Sequence, residues 1–179
     1  EVAVRSLPRP VQTECPIWIT AAAKPESFER AGTAGANLLT HLLDQDVDAL
    51  AGKIVRYRAA RAAAGFDPSS GQVTVMIHTF VGADERAIRE EARAPFCSYI
   101  SENIGLLTGL AQSRGQPVDL ATLAPDDKAE FIDFLYERFA TSRGLIGTPE
   151  SGLPLVQRLE AIGVNEIACL LDFGPAAAR

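Results

Sequence analysis

Short apolar runs alternate with longer amphipathic stretches along this chain, the trace that β-strands and covering helices leave in a sequence. Ile17-Trp18-Ile19-Thr20, after Pro16, predicts a short strand, and Pro25 to Ala34 a helix with Pro25 in its first turn. Asn37 to His41 reads as a second strand. From Asp46 to Ala64, Val47, Leu50, Ile54 and Tyr57 fall on one helical face, with Asp46 as N-cap and Gly65 as stop. The turn Asp67-Pro68-Ser69-Ser70-Gly71 leads into the clearest strand, Gln72 to Val81.

The second half is less regular. Asp84 to Leu107 predicts a helix interrupted at Pro95, whose missing backbone donor is expected to kink or break it. Thr108 to Pro125 (residues 108–125) carries Gly and Pro without a clear period and is expected to be an irregular excursion, long enough to act as a lid. Asp126 to Thr141 resumes helix, with Phe131, Phe134, Leu135 and Arg138 at helical spacing. Thr148, Pro149 and Glu150 form a helix start, followed by a stripe of Leu153, Val156, Leu159 and Ile162. Gly163 ends that helix, Val164 to Leu171 is a last strand, and Asp172-Phe173-Gly174 follows.

Strands joined by helices run parallel and must be covered on both faces. Four of them suit a small open sheet or part of a closed (β/α)8 barrel. The last strand lacks a full covering helix and Glu1–Gln12 has no helix before it, which favours part of a barrel. Residues 1–179 are therefore expected to form a single partial domain.

Composition narrows the partners. A net charge of -6, with basic residues scattered, argues against a nucleic-acid backbone. No apolar run approaches the roughly 20 residues of a membrane span and no segment reads as a signal peptide, so no membrane is expected and the cytoplasm is. Cys15, Cys97 and Cys169 fit neither a zinc spacing nor a disulfide framework, and two histidines without carboxylates at ligand spacing suggest no metal.

A barrel carries its site at the C-terminal ends of its strands. That rule selects Thr20 to Lys24, Thr40 and His41, His78 and Thr79, and Asp172 to Gly174. Around Thr20, Ala21, Ala22, Ala23 and Lys24 small side chains leave backbone N–H groups accessible just before a helix, where the dipole favours a phosphate. His78 shares a strand face with Met76 and Phe80, and its near-neutral titration suits proton transfer. His41 ends the preceding strand, either lining the same pocket or facing solvent.

Several segments, taken in order, carry a family resemblance: Pro10-Val11-Gln12, Pro16-Ile17-Trp18-Ile19-Thr20-Ala21-Ala22, Pro25-Glu26-Ser27-Phe28, Gly35-Ala36-Asn37-Leu38-Leu39-Thr40-His41, Met76-Ile77-His78-Thr79-Phe80-Val81-Gly82, Gly147-Thr148-Pro149-Glu150, and Gly163 through Gly174. Together they resemble the C-terminal half of luciferase-like flavin-dependent monooxygenases, most of all the domains found in nonribosomal peptide and polyketide synthases. The resemblance implies an α/β fold, the C-terminal half of a TIM-type (β/α)8 barrel, with parallel strands five to eight and a helical excursion before the last strand. It implies reduced FMN, supplied by a separate flavin reductase, and O2 as oxidant for an organic, carrier-protein-bound substrate in natural-product biosynthesis.

The same resemblance places the flavin phosphate near Thr20–Lys24, although Ala23-Lys24 stands where related domains have Gly-Asn; the charge of Lys24 can compensate. It sets His78 beside the flavin and brings an arginine, here Arg143, to flavin or substrate, the alternative being a solvated loop arginine. Strands one to four would come from an upstream half of the barrel or a second copy, so the chain alone lacks part of the active site. Two other readings stay open: a deazaflavin-dependent oxidoreductase of the same superfamily, transferring hydride, and a noncatalytic half-barrel binding module.

Overall fold

The computed structural model describes residue 8 and residues 11–12, 15–113, 122–171 and 173. Its first half follows the apolar pattern closely. Strand β1 (Trp18–Thr20), helix α1 (Pro25–Thr33), strand β2 (Asn37–His41), helix α2 (Val47–Ala63) and strand β3 (Val73–Val81) make two successive crossovers. β1 pairs with β2 and β2 with β3, both in parallel. Local chemistry sets these boundaries. Pro25 occupies the first turn of α1, the Asp46 carboxylate caps α2 by accepting the Ala49 N–H at 2.8 Å, and Gly65 supplies the positive φ of 86° just past its end.

Beyond β3 come α3 (Glu85–Glu102), α4 (Ile104–Ser113), α5 (Pro125–Arg138), a π-helical turn (Phe139–Arg143), β4 (Leu145–Gly147), α6 (Pro149–Ala161) and β5 (Glu166–Leu170). β5 pairs in parallel with Thr74–His78 of β3, and the short β4 with Thr79–Val81. The sheet thus holds five strands where the pattern predicts four, because Leu145–Gly147 is too short to announce itself. Among the described residues, nothing pairs with the outer edges of β1 and β5.

Strand register assigns the faces. Ile19, Leu38, Val73, Val75 and Ile77 look outward onto Phe28, Leu50, Ile54 and Tyr57 of α1 and α2 and onto Leu155 and Leu159 of α6. Each fully buried aliphatic or aromatic side chain there contributes about 1.5–3 kcal/mol. A second core gathers Ala92, Phe96 and Ile100 of α3 with Ile132, Leu135 and Tyr136 of α5, Phe139, Ile146 and Phe173. The inner face of the sheet carries Trp18, Leu39, His41, Thr74, Met76, His78, Glu166, Ala168 and Leu170. Across its floor the Trp18 indole donates to Thr74 Oγ1 (2.9 Å), whose hydroxyl donates to Glu166 Oε2 (2.7 Å).

Four expectations from the pattern change. Pro95 does not break its helix: α3 runs through it, held by Ala92, Phe96 and Ile100 on either side, while the exposed Glu91 can give its unpaired carbonyl to water. The segment 108–125 is not irregular throughout, since α4 extends to Ser113 and Pro125 already begins α5; residues 114–121 lie outside the described residues. In α5 the buried face is Ile132, Leu135 and Tyr136, leaving Phe134 58% exposed. In α6 it is Leu155 and Leu159, with Leu153 exposed. In both helices two adjacent apolar stripes compete, and the neighbouring element decides which one is covered. Pro10, Asp172 and Gly174 fall outside the described residues.

Candidate functional site

The C-terminal ends of β1 and β2 are joined by one polar network on the outer side of the sheet. After Thr20 the ladder continues for a single bond, Ala21 N–H to the Leu39 carbonyl (2.9 Å), and then the chain turns into α1. Ala21 is buried, Ala22 and Ala23 are half-buried, and Lys24 is exposed. Lys24 takes the N-cap position with no side-chain cap bond, so the first-turn amides of α1 have no side-chain acceptor from the cap. The Ala22 carbonyl accepts from Lys53 Nζ of α2 at 2.8 Å, and the same ammonium donates to Gln45 Oε1 at 2.6 Å. Gln45 Nε2 in turn donates to Thr40 Oγ1 (3.1 Å) and to the His41 carbonyl (2.7 Å).

His41 belongs to this cluster. Its Nδ1 accepts the Leu43 N–H at 3.2 Å, which makes Nδ1 the unprotonated nitrogen and places the ring proton on Nε2. The same Nδ1 stands 4.0 Å from Asp44 Oδ1, a distance that would favour a charged ring. Burial outweighs it: desolvation holds the His41 pKa below its ordinary value, with Asp44 pulling upward and Lys53 adding to the depression. His41 is therefore a neutral imidazole, with its side chain 18% exposed.

Arg143 is not a solvated loop arginine. At 7% exposure it reaches from the π-helical turn to the loop after β2, where Nη1 donates to the carbonyls of Leu42 (3.3 Å) and Leu43 (3.2 Å). It thus clamps the segment that carries His41 and Gln45. His78 sits on the inner face, one inward-facing position beyond Met76, which is in register with His41. It is 5% exposed and enclosed edge-to-face by Phe96 (5.3 Å), Tyr99 (5.4 Å), Phe139 (5.3 Å) and Phe173 (5.2 Å). Phe173, selected by its place after the last strand, accordingly packs in a core. The neighbouring Thr79 hydroxyl donates back to the Ile77 carbonyl.

The structure thus brings Thr20–Lys24, His41 and Arg143 to the same end of the sheet and sets His78 behind aromatic rings. Lys53 and Gln45 escaped the sequence reading. Their signal was there: Lys53 interrupts the apolar stripe of Leu50, Ile54 and Tyr57, where a charge has no place unless it is paired. Around the turn stand Lys53, Lys24 and the N-terminus of α1, whose first turn also carries Glu26, a cationic balance that admits an anion. The turn's donors, backbone amides and an ammonium, fit a phosphate. A groove of about 510 Å³ beside Leu159, Gly163, Val164 and Ile167 lies at the opposite end of the strands and belongs to no part of this cluster. Among the described residues no group of His, Cys, Asp or Glu could hold a metal ion, and no helix is long and apolar enough to cross a membrane.

Comparison with known proteins gives three kinds of result. The family model for luciferase-like monooxygenases matches residues 2–166. Curated proteins give no match. Solved structures do. Monooxygenase RslO1 from Streptomyces bottropensis aligns at a TM-score of 0.58 with 21% identity, over 91% of this chain and 43% of that one. The oxygenating constituent of 3,6-diketocamphane monooxygenase from Pseudomonas putida, a type II Baeyer-Villiger monooxygenase in complex with FMN, aligns at 0.59 with 18% identity, over 87% and 42%. The coenzyme F420-dependent tetrahydromethanopterin reductase of Methanopyrus kandleri aligns at 0.57 with 16% identity, over 85% and 44%. At these identities the likeness is one of fold, and the chain spans less than half the length of each of these structures.

Proposed function

The chain belongs to the luciferase-like monooxygenase family, and on that premise we propose that it is the C-terminal half of a flavin-dependent monooxygenase using reduced FMN and O2 to oxygenate an organic substrate. The observation that carries the proposal is the turn from Thr20 to Lys24. It lies at the C-terminal ends of parallel strands, where barrels of this kind hold their ligands, and opens directly into α1. In this reading the α1 amides and Lys24 bind the flavin phosphate, and Thr20 lies on the inner side beside the ring system.

Of the two histidines, His41 is the one whose backbone carbonyl joins the network that reaches the turn through Gln45 and Lys53, and its neutral ring, on the inner face with Nε2–H, can donate to a polar group of cofactor or substrate. His78 is the proton-handling candidate of the inner face, enclosed by its four aromatic rings. Arg143 fixes the loop between them. Bound reduced FMN supplies two electrons with which one atom of O2 enters the substrate and the other leaves as water. The remaining parts of the proposal are an upstream half-barrel or second copy that pairs the edges of β1 and β5, a separate flavin reductase, a cytoplasmic setting, and a carrier-protein-bound substrate of natural-product assembly.

The test is a titration of reduced FMN into the chain alone and into the chain mixed with an upstream half-barrel, with oxygen uptake recorded. Binding in the mixture, with oxygenation lost in His41→Ala or His78→Ala, is expected. Absence of binding in both samples overturns the flavin assignment. A reduced deazaflavin titrated in parallel separates the related chemistry, because hydride transfer without oxygen consumption assigns the chain to the deazaflavin-dependent oxidoreductases.

A further inference from the structure

Lys53 is a cation in a packing face. At 9% exposure it shares a helical stripe with Leu50, Ile54 and Tyr57, its Nζ lying 5.4 Å from the centre of the Phe28 ring. A methionine or leucine would fill that stripe without the cost of desolvating an ammonium, which runs to several kcal/mol before hydrogen bonds offset it. Gln45 Oε1 and the Ala22 carbonyl are among the acceptors that offset it. Gln45 cannot reverse its amide without setting its oxygen against the His41 carbonyl and its NH2 against the Lys53 ammonium, so its oxygen is committed to Lys53.

The peptide unit between Ala22 and Ala23 is planar and trans, so its C=O and N–H point in opposite directions. Drawing the Ala22 carbonyl onto Lys53 therefore turns the Ala23 N–H away from α2. Among the described residues no non-glycine has a positive φ, so Ala23 and Lys24 need no glycine to make this turn. The orientation that a flexible Gly-Asn could reach by its own freedom is here imposed from outside the turn.

We propose that Lys53 is the positioning residue of the turn: its ammonium, oriented by Gln45, holds the Ala22 carbonyl toward α2 and thereby presents the Ala23 amide to the phosphate of a flavin nucleotide. This inference rests on the assignment of Thr20–Lys24 to the flavin phosphate. Lys53 itself touches no ligand and acts only through the backbone of the turn.

The experiment follows backbone amides of the isotopically labelled chain, complemented by an upstream half-barrel, during titration with FMN, riboflavin and inorganic phosphate. FMN and phosphate should shift the Ala23 amide in the wild-type chain, and riboflavin, which lacks the phosphate, should leave it in place. Lys53→Met should weaken FMN about tenfold, the loss of one well-made charge-assisted hydrogen bond, while riboflavin affinity holds and Lys53→Arg recovers most of the loss. An equal response in wild type and Lys53→Met overturns the positioning role and leaves the phosphate assignment standing. No response to FMN or phosphate in the wild type removes that assignment, and this inference with it. A response to phosphate without one to FMN marks anion capture alone and also overturns it. If Lys53→Met does not fold, Gln45→Leu, which keeps the ammonium and removes the acceptor that orients it, is read against the same outcomes.

Discussion

Helix α2 buries a cation at each end of the sheet, and the two are used differently. Arg61, 4% exposed, lies at the N-terminal end of the strands. Its guanidinium donates to the Ala36 carbonyl (3.1 Å), the Asp67 carbonyl (3.3 Å) and Ser70 Oγ (2.9 Å), beside a Tyr57 hydroxyl that also donates to Ala36 (2.8 Å). The packing there is tight: a Cβ on Gly71 would stand 2.1 Å from the Tyr57 oxygen. About two helical turns away, Lys53 takes a side-chain and a backbone acceptor. The planar fork suits the first task, closing two connections at once, and the point charge suits the second, fixing one peptide. A buried cation is thus no sign of function in itself. What separates the two is whether the peptide it fixes turns a donor away from α2 at the end where a barrel collects its ligands.

The sharpest challenge to that contrast is Arg61→Ala. It removes a buried side chain packed on the Tyr57 and Phe66 rings, together with its bonds to three oxygens, and should cost about 3 kcal/mol in urea unfolding, with the turn amides of the folded fraction unmoved. Lys53→Met should cost less, about 1–2 kcal/mol, since its apolar stem is retained, yet should displace the Ala23 amide. Equal costs with a silent Ala23 would make the two ends alike.

Thr148→Ala tests an ordinary cap at the same end of the sheet as Lys53. The Thr148–Ser151 capping box is complete, so thermal unfolding should register a loss of about 1 kcal/mol, while the turn amides stay in place. The smallest effect is the pH response of His41. Its folded pKa lies below the ordinary 6.5, so as acidity rises the unfolded chain takes up the proton first. The stability it contributes is present above pH 6.5 and is lost as pH falls through the lowered folded value. His41→Asn should flatten that portion of the stability–pH curve.

The first half of the fold could be read from residues alone because its signals are local and agree: Pro25, the Asp46 cap, Gly65 and the alternation along β3 each point the same way. The second half could not. Leu153 and Leu155 are equally apolar, and only the packing of α6 on the sheet selects Leu155. The π-helical turn leaves no periodic trace, and it is what carries Arg143 onto the loop after β2. For the candidate site, the position of Thr20–Lys24 and His41 at strand ends was legible from polar or small residues after apolar runs. His78 was legible too, but its four-ring enclosure depends on Phe96, Tyr99, Phe139 and Phe173, drawn from three distant segments. Lys53 required weighing the cost of one charge within an apolar stripe.

Strand β3 pairs with three others, and this shapes the order in which the chain can fold. Its link to β2 spans 35 residues, as Gln72 to Asn37, whereas its link to β5 spans 92, as Val73 to Asn165. Closing the longer loop costs about 1 kcal/mol more in chain entropy, and α3 to α6 must be accommodated first. The β1–β3 crossovers should therefore assemble early and wait with one edge of β3 bare. During that interval a growing chain is most open to a stray strand or to capture by a chaperone, and the late arrival of β5 ends it.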